Sequence, residues 1–202
     1  FFEILFKSIK KTKFKSPLII IASKTLFLYQ IKKFKFSKKV NFVNLENLKK
    51  NELRNRSIYF IDIPFKNTKN SKIYIENSFN TAFKILKSGL TNKLINGPIN
   101  KVKFLNHKYL GITEYIAQKS FSKKIAMLIY NQKLSVCPIT THLPLKLVSK
   151  KINQALINEK VFLIHNFYKK NFKFKPKIAI TGLNPHCESI HKINEDKRII
   201  VP

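Results

Sequence analysis

Leu18-Ile19-Ile20-Ile21-Ala22 is a β-branched run that reads as a buried strand, and residues 25–33 after it carry a helical pattern. Working outward, residues 2–13 read as a helix before this strand, and residues 40–43 and 58–63 read as further strands after it. Residues 75–90 place Phe79, Ala82, Phe83, Ile85 and Leu86 at helical spacing, with Gly89 as the stop signal. A short strand at residues 93–96 is expected to run into Gly97-Pro98. Thr113-Glu114-Tyr115-Ile116-Ala117 opens another helix, with Thr113 as its candidate cap. Residues 124–130 and 134–140 read as extended arms of a hairpin turning at Asn131-Gln132. Residues 147–168 form a long helical stretch, and residues 177–181 read as a last strand. Alternating β and α units with one inserted hairpin predict an α/β fold, its sheet mostly parallel with some antiparallel pairing.

The 202 residues are 44% hydrophobic, enough for one sizeable core. The chain begins at Phe1 without a methionine and stops at Val201-Pro202 straight after an apolar run, so it is expected to be an internal fragment of a longer protein. The formal charge of +30 raises the possibility of a nucleic-acid partner. The lysines are scattered along the whole chain, however, and Lys, Asn, Ile and Phe are all abundant while Gly numbers only 4. That pattern suits a coding sequence drifting towards A and T, so a basic solvated surface is expected, with salt-sensitive, non-specific adhesion to RNA and no specific nucleic-acid partner. Cys137 and Cys187 make neither a zinc knuckle nor a disulfide framework, which fits a reducing cytoplasm. The longest apolar stretch, Pro17-Leu18-Ile19-Ile20-Ile21-Ala22, is too short to span a bilayer, so no membrane partner is expected.

Three segments leave strands where an open α/β sheet binds its ligands, beyond the carboxyl ends. In Asn96-Gly97-Pro98-Ile99-Asn100-Lys101, glycine permits a sharp turn, proline fixes the exit, and Lys101 offers a point charge to a phosphate or carboxylate. Thr140-Thr141-His142-Leu143-Pro144-Leu145 ends a strand on a histidine, and the proline after it has no amide to continue the ladder. Gly182-Leu183-Asn184-Pro185-His186 repeats the arrangement, and two imidazoles at equivalent edges suit a metal site. His165 falls mid-helix, His107 in a polar connector and His191 in a loop; none is a strong third ligand. Cys187 reads as a small buried filler. Gly111-Ile112-Thr113-Glu114 offers a helix N-terminus that is read first as an ordinary cap.

In this order the segments resemble the 4-hydroxythreonine-4-phosphate dehydrogenase family of vitamin B6 synthesis, most strongly from Asn96 to His186. Gly97-Pro98-Ile99-Asn100-Lys101 looks like the family's Gly-Pro-Val/Ile-x-Lys run, and the two histidine segments look like its most diagnostic motifs. The resemblance implies the fold of isocitrate and isopropylmalate dehydrogenases and a homodimer with an interfacial active site. It implies that His142 and His186 are two of three histidine ligands to a divalent metal (zinc, cobalt or magnesium) and that Thr113 contacts the substrate. Residues 1–202 would then form a single incomplete α/β unit, the N-terminal and central part of a longer two-lobed dehydrogenase. The third metal histidine and much of the nicotinamide-binding region would follow Pro202, so the 202 residues alone are not expected to be a competent enzyme.

The implied reaction is metal-dependent, NAD- or NADP-linked oxidation of 4-phosphooxy-threonine, then decarboxylation to 3-amino-2-oxopropyl phosphate. Two departures bear on it. Ile112 stands where the family usually has a histidine before the threonine, so one polar substrate contact is missing or replaced. Cys187-Glu188-Ser189-Ile190-His191 stands where the family usually has a glycine-rich acidic stretch. Ile112 keeps open a relative acting on another phosphorylated hydroxy acid. A basic nucleic-acid-binding protein and an inactive remnant are the remaining alternatives.

Overall fold

The computed structural model describes residues 1–106, 108–122, 124–187, 192 and 194–202. They divide into two compact units, Phe1–Tyr109 and Leu110–Pro202.

The first unit is built on three parallel strands, β1 (Leu18–Ala22), β2 (Val40–Phe42) and β3 (Ile58–Asp62), in the order β1-β3-β2. Leu18 and Val40 both pair with Ile58, so the strands start level and their carboxyl ends share one edge. The central position of β3 explains its composition: Ile58, Tyr59, Phe60 and Ile61 are all buried. Alternation along the strands separates two apolar faces. Ile20, Ala22, Ile58 and Phe60 face α1 (Phe2–Lys11) and α2 (Lys24–Phe34), meeting Phe6, Ile9 and Phe27. Ile19, Ile21 and Ile61 face the other way and meet Ile85 of α3 (Ser71–Lys87). Helices on both faces of a parallel sheet are the layer arrangement expected from alternating β and α units.

The carboxyl edge of this sheet is held by side chains. Buried Ser23 caps α2, accepting from the Leu26 amide at 3.4 Å. The Asp62 carboxylate accepts from the Lys24 amide at 2.8 Å, and the Tyr74 phenol accepts from the Ser23 amide at 3.0 Å. Burial pushes the Tyr74 phenol above its ordinary range, against the opposing pull of the Ser23 amide. Helix α3 ends as the sequence indicates, with Gly89 in the left-handed region at φ 75°. Residues 93–96 are not a strand: Ile95 is 88% exposed, so the run has no apolar face to pair on a sheet. They lead instead to α4 (Lys101–Leu105), capped by the Asn100 side chain on the Lys103 amide.

In the second unit α5 spans Ile112–Lys119, α6 Leu145–Lys151 and α7 Gln154–Phe172. Three expectations change here. Gly111, not Thr113, is the N-cap of α5, and Thr113 lies inside the first turn with its side chain exposed. The long helix expected over 147–168 is two helices, because the Asn153 side chain accepts from the Leu156 amide at 2.9 Å and starts a new one. The hairpin is reduced to one antiparallel bridge, Ile129 with Val136, since its turn is wider than Asn131-Gln132 and is closed by Ser135 against Asn131. Residues 177–181, expected as a strand, join no ladder among the described residues.

What holds this unit is mainly α7. Tyr168 donates to Ser135 Oγ at 2.9 Å, and the Phe172 ring stacks on Tyr130 with centroids 5.2 Å apart, tying the hairpin to the helix. Asn153→Ala is expected to cost about 1 kcal/mol through the lost cap. A shift in the urea midpoint of that size, with α-helix content retained, would check it. Among the described residues no helix is long and apolar enough to cross a membrane.

Candidate functional site

Sequence reasoning places chemistry at Lys101, at Ile112-Thr113, at His142 and at His186. Lys101 belongs to the first unit, where it is the exposed first residue of α4, directly after the Asn100 cap. The other candidates belong to the second unit.

The structure brings His142 to the start of α5. A Cβ on Gly111 would sit 3.8 Å from His142 Nε2 and 2.8 Å from Glu114 Oε2. The bare glycine therefore leaves room for an imidazole and a carboxylate over the backbone that leads into Ile112 and Thr113. Ile112 is half-buried and Thr113 exposed. His142 itself has φ 56°, in the left-handed region that a side chain other than glycine rarely adopts. Such strain costs on the order of 1–3 kcal/mol and is retained where the surroundings fix it.

His186 rides on a second tight turn. Its amide donates to Asn184 Oδ1 at 3.0 Å, and the Cys187 amide donates to the Asn184 carbonyl at 2.9 Å. Cys187 follows in the left-handed region at φ 54°. It is exposed, not the buried filler expected from the sequence, because its thiol lies over Gly182, which has no side chain to cover it. Gly182 at the start of the turn has no space for a side chain: a Cβ would lie 2.3 Å from Cys187 Sγ and 3.0 Å from both the Asn184 carbonyl and Asp196 Oδ1. Gly182→Ala is expected to destabilise the second unit by about 1–3 kcal/mol by forcing these groups apart. Thermal unfolding monitored at the Tyr168 aromatic cluster would measure this.

Residues 138–140 and 180–183, which lead into the two histidine turns, line one cavity of about 220 Å³, and neither His142 nor His186 is among its lining residues. Thr140, two residues before His142, lines it together with Gly182, four residues before His186. Ile157 of α7, Ile180 and Ile200 supply apolar walls. Both imidazoles are exposed and so available to a ligand.

Other groups near these segments are structural. The Lys160 ammonium, buried on α7, donates to the Ile125 carbonyl and, at 3.2 Å, to Glu159. Burial pushes the half-buried Cys137 thiol up, with Lys160 pulling the other way. His165 is a half-buried residue of α7. His107 and His191, weighed above as further ligands, lie outside the described residues, as does the stretch 188–190.

Two imidazoles are donors of the right chemistry for zinc or cobalt. Among the described residues, no three His, Cys, Asp or Glu side chains gather into a metal-holding group.

Comparison with known proteins places these features in a family. A chain from Sulfurihydrogenibium sp. (strain YO3AOP1), called 4-hydroxythreonine-4-phosphate dehydrogenase, is 39% identical over 155 residues, 72% of this chain and 47% of its own length. One of the same name from Aquifex aeolicus (strain VF5) is 30% identical over 171 residues, 79% of this chain and 52% of its own. The chain therefore spans about half the length of these curated relatives. A solved structure of a 4-hydroxythreonine-4-phosphate dehydrogenase from Klebsiella pneumoniae superposes with a TM-score of 0.71 at 21% identity, covering 91% of this chain and 60% of that one. A Salmonella typhimurium structure reaches a TM-score of 0.79 at 22% identity, covering 99% of this chain and 65% of its own. The profile of the pyridoxal phosphate biosynthetic protein PdxA matches residues 13–202, nearly the whole chain, and the chain belongs to that family.

Proposed function

We propose that the chain is part of a metal-dependent, NAD- or NADP-linked dehydrogenase that oxidises 4-phosphooxy-threonine. The oxidised product then loses carbon dioxide to give 3-amino-2-oxopropyl phosphate. The observation that carries this reading is membership of the PdxA family over residues 13–202, in a chain whose His142 and His186 are both exposed. The fold in this reading is that of isocitrate and isopropylmalate dehydrogenases. The chain supplies the N-terminal and central part of a longer, two-lobed, homodimeric enzyme whose active site lies at the subunit interface, working in the cytoplasm.

When bound, the divalent metal supplies Lewis acidity at the substrate hydroxyl and the nicotinamide supplies the hydride acceptor. His142 and His186 are the metal ligands contributed by this chain, with zinc, cobalt or magnesium as the ion. A third donor comes from the remaining length that the relatives possess. The left-handed backbone at His142 and the two-bond turn at His186 fix the backbone from which each imidazole projects, which limits the ordering cost of binding. Thr113, exposed in the first turn of α5, offers its hydroxyl to the substrate. Lys101, exposed on the first unit, carries a positive charge of the kind that suits a phosphate. Ile112 brings an apolar side chain to this start of α5, and it favours a second reading in which the substrate is another phosphorylated hydroxy acid.

The test is the full-length protein with 4-phosphooxy-threonine, either nicotinamide cofactor and each divalent metal in turn, followed by absorbance of the reduced nicotinamide. Metal-dependent reduction supports the proposal. Turnover confined to a different phosphorylated hydroxy acid selects the second reading, and no turnover with any of them rejects both.

A further inference from the structure

Among the described residues only three polar or charged side chains are buried: Ser23, Lys160 and Asp196. A buried polar group needs a partner that accounts for it, because desolvation without compensation costs several kcal/mol. Ser23 caps α2, and Lys160 is bonded to Ile125 and Glu159. Asp196, 5% exposed, does something different. Its Oδ1 accepts from the Leu183 amide at 2.6 Å and its Oδ2 from the Asn184 amide at 3.3 Å. One carboxylate thus holds two consecutive amides of the turn that carries His186.

We propose that Asp196 is a positioning residue for His186. The linkage is continuous. Asp196 fixes the backbone of Leu183 and Asn184, and Asn184 then holds the amides of His186 and Cys187 through its side chain and its carbonyl. One side chain thus ties two successive amides of the turn at once, at 2.6 and 3.3 Å. Asp196 is itself held at the start of a single π turn, Asp196–Ile200, where the Asn194 side chain accepts from the Lys197 amide at 2.9 Å and the Val201 amide donates back to the Asp196 carbonyl at 2.9 Å. Gly182 belongs to the same device, since a Cβ there would press on both the carboxylate and Cys187 Sγ. The carboxylate acts on His186 through the turn.

The inference rests on the reading of His186 as a metal ligand, and the test separates the two. Asp196→Ala and the near-isosteric Asp196→Asn are made in the full-length chain beside His186→Ala. Backbone hydrogen exchange and Co²⁺ affinity are measured for each. Asp196→Ala is expected to speed exchange at Leu183 and Asn184 at least tenfold, leave exchange in α7 unchanged, and weaken Co²⁺ binding about tenfold, the usual scale for outer-shell changes. Asp196→Asn, which keeps one acceptor oxygen, should fall between and provides the result if the alanine variant does not fold. Unchanged exchange at Leu183 and Asn184, or weakened Co²⁺ binding without faster exchange there, overturns the positioning role. Undiminished Co²⁺ affinity in His186→Ala overturns the metal reading instead, and the exchange data then decide the role of Asp196 in the turn on their own.

Discussion

His142→Ala and His186→Ala, each in the full-length enzyme, are expected to lower kcat about a thousandfold, with bound metal lost. The size follows from the role assigned to the ion: Lewis-acid stabilisation is worth several kcal/mol, and each 1.4 kcal/mol is about tenfold in rate. Both imidazoles are exposed, and neither belongs to the buried core. Folding should therefore be little affected, and unchanged circular dichroism separates a chemical loss from a structural one. Because the two histidines would act on one ion, the double variant should be hardly worse than either single one. Steady-state kinetics with metal analysis of the same samples provides the check. Normal turnover with full metal content in either variant rejects the assignment.

Phe60→Ala is expected to have the largest effect on stability, about 3–5 kcal/mol, the usual range for emptying a large aromatic site. Phe60 is fully buried at the centre of β3, with its ring centroid 4.4 Å from that of Phe27 and 5.4 Å from that of Phe42. Collapse around the void is limited, because sheet pairing on both sides fixes the backbone: Ile20 pairs with Phe60 on one side and Phe42 on the other. A loss of this size is a large fraction of a domain's total of about 5–15 kcal/mol, so the first unit should unfold near ambient temperature. Phe42→Ala is the internal control. That ring is 44% exposed on the edge strand, so its removal should cost far less. Chemical denaturation of both variants measures the difference, and equal midpoints would contradict the core described here.

How much of this could be read from the chain differs between the two units, for physical reasons. Leu18–Ala22 and Ile58–Asp62 are legible because a strand buried on both faces must be continuously apolar, and local sequence carries that signal. Helix α3 is legible because its buried residues, Phe79, Ala82, Phe83 and Ile85, recur at helical spacing and Gly89 ends it. In the second unit single polar side chains decide the boundaries. Asn153 interrupts an otherwise continuous helical pattern, and Ser135 widens a turn that Asn131-Gln132 would have made tight. Gly111 displaces Thr113 as the cap, and the imidazole of His142 comes to lie above that glycine.

The site divides in the same way. His142 and His186 are visible as histidines in proline-marked segments at the ends of extended runs. The cavity lined by residues 138–140 and 180–183 ahead of them is not, since it depends on how those two stretches fold together. Glu114 is visible only as part of the Gly111-Ile112-Thr113-Glu114 segment, and Asp196 not at all, although the chain has only ten acids. The partners of Asp196 are backbone amides twelve and thirteen positions away, and no residue type marks an amide as an acceptor's target. A buried acid in a chain of formal charge +30 is the one clue that could have singled it out.

The measurement that bears most directly on the central claim is anomalous diffraction from crystals of the full-length protein grown with Co²⁺. The account predicts one strong peak about 2.0–2.2 Å from a ring nitrogen of both His142 and His186, the distance for metal–imidazole bonds. A peak that touches neither histidine, or cobalt bound only elsewhere on the molecule, would contradict it.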